Sequence, residues 1–342
     1  MLTVPYISSL ASTMFKHPWP SHPFLSGLNL DILPLVLKTL NIDDLTRLKR
    51  VSPHADTFVT WELGRRITIA LSLFINNVPH FYTMLRSTLA VISGVVAAQV
   101  FYPNELNIPI TVLTIFTPHD NYQPFLDYLT EVEGYVSTSR PRGAYLRFIN
   151  PMKMENTTAE EKLKHPNRVG MFIKVFQSAY TSPLPPIVSQ WNTVLQGFIS
   201  HTTYCSPYHF LNAQKVALFN PYYLNSLNET QEIPRGFRKE ETTWKIVGQW
   251  NVVVYWLETA KCLGPLSLAC PSACRFYGDL YCVTGSLHPV RDRKEVHYDA
   301  FVTYSVYWCK GGPIGNHTCY NRHLQWVHPY TRSVLQSTVQ RH

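Results

Sequence analysis

The stretch TLAVISGVVAAQVF, residues 88–101, constrains the fold more than any other part of the chain. Its first six residues read as a buried strand, Gly94 as a turn, and VVAAQVF as a helix. TVLTIF, rich in β-branched residues, then supplies a second strand. A strand that runs through glycine directly into a helix needs a neighbouring strand and a covering layer. The pattern therefore predicts a mixed sheet with helices packed on it. The following segments agree. NYQPFLDYLTEVEG reads as a helix with Gly134 as its terminator, and AYLRFI and VGMFIKVF read as strands. SPLPP reads as a rigid loop, and IVSQWNTVLQGFIS as an amphipathic helix with Trp191 and Phe198 on its core face. NPMKMENTTAEEKLKHPNR is charged and turn-rich, which predicts an exposed insertion. The expected fold class is α+β / α/β.

Upstream, residues 1–26 are rich in Pro, Ser and aromatics and predict an irregular lead-in. Residues 27–86 predict a helical module. Ile32, Val36 and Leu40 recur at helical spacing, with Pro34 in the first turn where proline is tolerated. Asp43 or Asp44 is the expected cap of a second helix carrying Leu45, Leu48 and Val51 on one face. Ser52-Pro53 opens a third helix, with Phe58, Trp61 and Leu63.

This helical segment resembles an F-box: a leucine-proline start at Leu33-Pro34, then DDLTRLKRVS with its Asp-Leu pair and Val-Ser ending. The acidic residue usual after the leucine-proline is replaced by Leu35-Val36. The resemblance implies docking onto a Skp-type adaptor of a cullin ubiquitin ligase through Leu33, Pro34, Leu45, Leu48 and Val51. The order of the downstream segments resembles a group of fungal proteins in which an F-box-like segment precedes a nucleotidyltransferase-like fold. The stretches that carry it are AVISGVVAAQVF, TIFTPHDNYQPFLDYLTEVEGY and VFQSAYTSPLPPIVSQWNTVLQGFISHTTYCSPYHFLN. This implies a nucleotidyltransferase-like domain over 87–240 and a Cys- and aromatic-rich, β-rich extension over 241–342 packed on it.

A working nucleotidyltransferase needs a small turn whose N–H groups approach a triphosphate, and carboxylates that hold Mg²⁺. Gly94 is present, but Val95 stands where a small polar residue belongs. The acid pair falls on Glu105 and Asn107 by distance from the glycine, or on Val112 and Thr114 by the strand leading into FTPHDNY. The third acid should lie in FIKVFQS, where Lys174 and Gln177 are the polar side chains. Neither alignment supplies two anions. The expectation is a catalytically degenerate cleft formed by Gly94, Val95, Glu105, Asn107, Val112 and Thr114, with no catalytic residue, metal or cofactor. The chain then reads as a non-enzymatic interaction protein, an F-box-like adaptor or scaffold. The alternatives are a metal-dependent nucleotidyltransferase with unusual ligands, or a nucleotide or nucleic-acid binder without catalysis.

Charge bears on partners. Through Arg140 there are 9 Lys/Arg against 10 Asp/Glu, and the remaining 21 against 12 carry the net +8. These bases are dispersed apart from RGFRKEE and RDRK, which argues for a solvated surface over a nucleic-acid stripe. The apolar runs ITIALSLFI and LAVISGVVAAQVF fall short of the roughly 20 residues that span a bilayer, so no membrane partner is expected. MLTVPYISSLASTMFKHPWP has no basic start and its apolar run is broken, which predicts an intracellular protein of cytoplasm or nucleus with reduced thiols. Cys262, Cys270, Cys274, Cys282, Cys309 and Cys319 cluster late in the chain beside several histidines, which raises zinc. The spacing contains no Cys-x-x-Cys pair, which favours thiols without a metal. LYCVTGSL and HYDAFVTYSVYWCKGG read as strands of the extension.

Overall fold

The computed structural model describes residues 32–104, 110–138, 154, 156–190, 193–213, 216–219, 243–245, 253–256, 275–279, 282–288, 306–308 and 330–331. Its chain divides into two units, Met1–Thr39 and Leu40–His342.

In the first unit, α1 (Leu33–Thr39) carries Pro34 in its first turn and buries Leu33 and Leu37. The expected stripe of Ile32 and Val36 faces outward instead, because residues four apart, Leu33 and Leu37, take the buried side.

In the second unit, α2 (Ile42–Lys49) is capped by Asn41, whose side chain accepts from the N–H groups of Asp43 and Asp44. The expected caps Asp43 and Asp44 lie in the first turn, where their charge complements the helix dipole. Ser52 caps α3 (Pro53–Ser72) by accepting from the Ala55 N–H, with Pro53 at the first position as expected. This helix is long, 20 residues, because Val59, Leu63, Ile67, Ala70 and Leu71 continue one buried stripe. Asn77 caps α4 (Val78–Thr88), which ends at Leu89 with φ 53°.

The main sheet joins β1 (Val91–Ser93), β2 (Val112–Thr117), β3 (Val136–Ser137), β4 (Thr157–Lys164), β5 (Phe172–Ser178), β6 (Phe198–Ile199), β7 (Thr203–Ser206) and β12 (Val283–Ser286). Among the described residues its order is β12-β7-β6-β1-β2-β5-β4-β3, with β2 and β5 parallel and the other neighbours antiparallel. The fold is therefore mixed α/β, an eight-stranded mixed sheet with N-terminal helices. The predicted helix after the glycine is α5 (Val95–Phe101), packed along β1 and β2. NYQPFLDYLTEVEG forms α6 (Tyr122–Asp127) and a π-helical turn through Val132, and Gly134 follows at φ 76°.

Two segments differ from expectation. TTAEEKLK, expected in an exposed insertion, is β4, held between β5 and β3 by backbone pairing and anchored by buried Thr157 and Leu163. IVSQWNTVLQGFIS is no single helix. It contributes to α7 (Pro185–Val188), a 3₁₀ turn at Thr193–Gln196 and β6. Phe198 is thus a strand residue, and Trp191 lies outside the described residues, as does AYLRFI.

The extension contributes β12 to the main sheet, as LYCVTGSL predicts. Two further three-stranded sheets are formed among β8 (Val216–Phe219), β9 (Thr243–Lys245) and β10 (Val253–Trp256), and among β11 (Arg275–Phe276), β13 (Val306–Trp308) and β14 (Tyr330–Thr331). Among the described residues no helix is long and apolar enough to cross a membrane.

Candidate functional site

The register places one row of residues across the centre of the sheet. Ser93 pairs with Thr114 of β2, and Thr114 pairs with Lys174 of β5. Cβ directions alternate along a strand, so Val91, Phe116 and Phe176 share the face of this row. There they join Leu184, Ile187, Val188, Phe198, Tyr208 and Tyr277 in one buried cluster.

Gly94 ends β1 with φ 71° and ψ −143°, a conformation that side chains resist. A Cβ at this position would also lie 3.2 Å from Thr114 Oγ1. The backbone conformation therefore favours glycine, and the neighbouring Thr114 side chain leaves little room for a Cβ. By this contact Thr114 stands beside Gly94, with Val112 two residues earlier on the same face. Glu105 and Asn107 lie outside the described residues.

The polar groups of the row are the Ser93 and Thr114 hydroxyls and the Lys174 ammonium. Lys174 pairs with Glu160 of β4 at 3.4 Å. Gln177 donates to the His119 carbonyl and accepts from Thr158 Oγ1. Mg²⁺ seeks carboxylate oxygens, and an ammonium in the row opposes a cation. Among the described residues no three His, Cys, Asp or Glu side chains group to hold a metal.

The mouth of the turn is filled by protein. The Gly94 N–H donates to the Leu195 carbonyl at 3.3 Å. Ser93 Oγ lies 2.7 Å from the Gly197 carbonyl and 3.0 Å from that of Leu195. Gln190 Nε2 donates to Ser93 Oγ at 3.2 Å and to the Leu195 carbonyl at 3.1 Å. Gln196 Nε2 donates to the Val188 carbonyl, and Tyr277 donates to the Gln196 carbonyl. Ser93, Gln190, Thr193 and Gln196 are all buried. A buried polar network with this many partners is rigid and specific to one arrangement. Val95, half buried, begins α5 directly behind it.

The F-box-like residues separate into inward and outward groups. Leu33 and Leu45 are buried, Pro34 and Leu48 are half buried, and Val51 is 60% exposed. At α1 the exposed large apolar side chains are Ile32, just before the helix, and Leu35 (59%) and Val36 within it, spaced as neighbours on one face. Leu45 and Thr46 belong to the side of α2 that packs into its own unit; Thr46 Oγ1 lies 2.9 Å from the Tyr204 hydroxyl of β7.

Two other groupings escaped sequence reasoning. A shallow depression of about 370 Å³ is lined by His119, Asp120, Ala179, Tyr180 and Thr181, just past the carboxyl ends of parallel β2 and β5. His119 Nδ1 lies 3.0 Å from Asp120 Oδ1 there, both side chains exposed. FTPHDNY carries this pair, but only the topology sets it beside Tyr180. The second grouping is Cys205 with Cys282, brought together by β7 and β12. The remaining late cysteines, Cys262, Cys270, Cys274, Cys309 and Cys319, lie outside the described residues. Comparison of the chain with protein-family models, with curated proteins and with solved structures finds no match.

Proposed function

We propose that the chain is a non-enzymatic interaction protein, an F-box-like adaptor or scaffold built on a degenerate nucleotidyltransferase-like domain. The observation that carries this reading is the filled glycine turn. The position where a triphosphate would approach holds Leu195, Gln190 and Gln196, and the Gly94 N–H already has a protein acceptor. The adjoining strands present Thr114 and Lys174 where metal-binding acids would stand.

The interaction half of the reading is supported by α1. Ile32, Leu35 and Val36 together expose apolar surface at one short helix, whereas the other described helices bury most of theirs. In this reading α1 presents that face to a Skp-type adaptor, and the inward residues Leu33 and Leu45 hold their own helices in place. The test is association with a purified Skp-type adaptor. The unmodified chain binds at micromolar concentration, and Leu35→Asp with Val36→Asp weakens binding by about 30-fold, near the roughly 2 kcal/mol of a lost anchor. Thermal unfolding stays where it was, because both side chains are exposed. An unmodified chain that does not bind at that concentration removes the adaptor reading.

A further inference from the structure

Cys205 lies in β7, opposite Thr284 of β12. Cys282 lies two residues before Thr284, immediately ahead of β12. Cys205 belongs to the buried cluster under this part of the sheet, and Cys282 packs against that same cluster. Arg275 Nη2 donates to Cys282 Sγ at 3.6 Å, to the Pro207 carbonyl at 2.6 Å and to Asp279 Oδ1 at 3.0 Å. Its guanidinium lies over the Tyr208 ring, 4.9 Å from the centroid, so the cation is held firmly at the sulfur.

The pair is asymmetric. Cys205 is buried with Phe198, Tyr208 and Tyr277, whereas Cys282 is half buried and open to a small reagent. Burial pushes the Cys205 thiol pKa well up, and the hydrogen bond and charge of Cys282 add to this. Cys205 therefore holds its proton at neutral pH. A half-exposed sulfur that accepts from a guanidinium is where oxidation begins, and a second thiol in the same packed cluster is what resolves it.

We infer that Cys205 and Cys282 form an oxidisable dithiol, in which a hydroperoxide reacts at Cys282 and Cys205 closes a disulfide between β7 and β12. In the first step the Cys282 sulfur attacks the distal peroxide oxygen. The O–O bond breaks, the alkoxide leaves with the thiol proton as an alcohol, and Cys282 becomes a sulfenic acid. In the second step the Cys205 sulfur attacks the Cys282 sulfur. The S–S bond forms, the S–O bond breaks, and hydroxide leaves with the Cys205 proton as water. Two thiols and one hydroperoxide thus give a disulfide, an alcohol and water. The bond to be formed, about 2.05 Å long, joins a residue of β7 to the residue immediately before β12, its partner strand. The product staples β12, which pairs with β7 and whose Ser286 carbonyl accepts from Lys49.

The test uses the full chain with its seven cysteines. The reduced protein is treated with one equivalent of hydrogen peroxide, remaining thiols are blocked with N-ethylmaleimide, and unreduced peptides are mapped. The expected result is a cross-linked pair of peptides carrying Cys205 and Cys282 as the main disulfide, with maleimide lost from both and restored by dithiothreitol. In Cys205→Ala, dimedone labels Cys282; in Cys282→Ser, Cys205 keeps its reactivity toward maleimide after denaturation. Peroxide that oxidises other cysteines while these two stay fully maleimide-reactive would overturn the inference. So would over-oxidation of Cys282 without any cross-link in the unmodified chain, a result that does not depend on whether a variant folds.

Discussion

Glu62 is fully buried in the middle of α3, yet it is charged. It accepts from Arg65 Nε at 2.7 Å and Nη2 at 2.8 Å, and from Arg66 Nε at 2.8 Å. Arg66 in turn donates to the Val100 carbonyl beyond the glycine turn and to the Leu40 carbonyl before α2, so one carboxylate organises three segments. Burial raises the Glu62 pKa, but the hydrogen bonds and charges of Arg65 and Arg66 outweigh it and hold the group below its ordinary 4.5. A depressed carboxylate contributes stability that is full above the unfolded pKa and is lost as pH falls through the folded one. Glu62→Gln should therefore destabilise the chain by about 3 kcal/mol at pH 7, because it removes the charge from one member of a buried ion pair. The gap between unmodified and variant chains should narrow as pH drops below 4.5. Urea unfolding of both at pH 7 and in acid measures this, and a gap independent of pH would contradict the ion-pair account.

At the scale of elements, α2 is tied to the sheet by buried polar groups. Lys49 pairs with Asp56 of α3 at 3.1 Å, donates to Thr60 at 2.9 Å, and donates to the Ser286 carbonyl of β12. Tyr204 reaches Thr46 across Gly285, where a Cβ would meet the tyrosine hydroxyl at 2.3 Å. Lys49→Met should cost about 3–5 kcal/mol, since it breaks a buried ion pair by removing one of its members. Hydrogen exchange should accelerate at β12 more than at β5; equal acceleration would mean that Lys49 does not hold this edge. Some of these elements were legible in the sequence. Ser52-Pro53 marked the start of α3, and Gly94 with VVAAQVF marked α5, because capping and turn chemistry are local. Others were not. β4 carries TTAEEKLK, whose charges signal a loop until β5 and β3 take up its backbone. The 187–200 stretch has helical periodicity, yet tertiary demand for a plug over Ser93 overrides it. Register is equally invisible locally: only the pairing of β1 with β2 sets Thr114 beside Gly94.

Across the whole molecule, the sheet carries one continuous row, Thr284, Cys205, Phe198, Ser93, Thr114, Lys174 and Lys162. The proposed cleft occupies its centre and the proposed dithiol its end. A molecule that bound a metal–triphosphate complex at the centre would need anions and free N–H groups there, and it presents hydroxyls, an ammonium and a packed polar network instead. The direct measurement is calorimetric titration of the full chain with ATP, with and without Mg²⁺, at physiological ionic strength. The account predicts no measurable strengthening by Mg²⁺, and at most weak binding that fades with added salt, as expected for phosphate meeting exposed bases. Tight, Mg²⁺-dependent binding of ATP that is lost in Thr114→Lys would contradict it, because the turn beside Gly94 would then be an open nucleotide site.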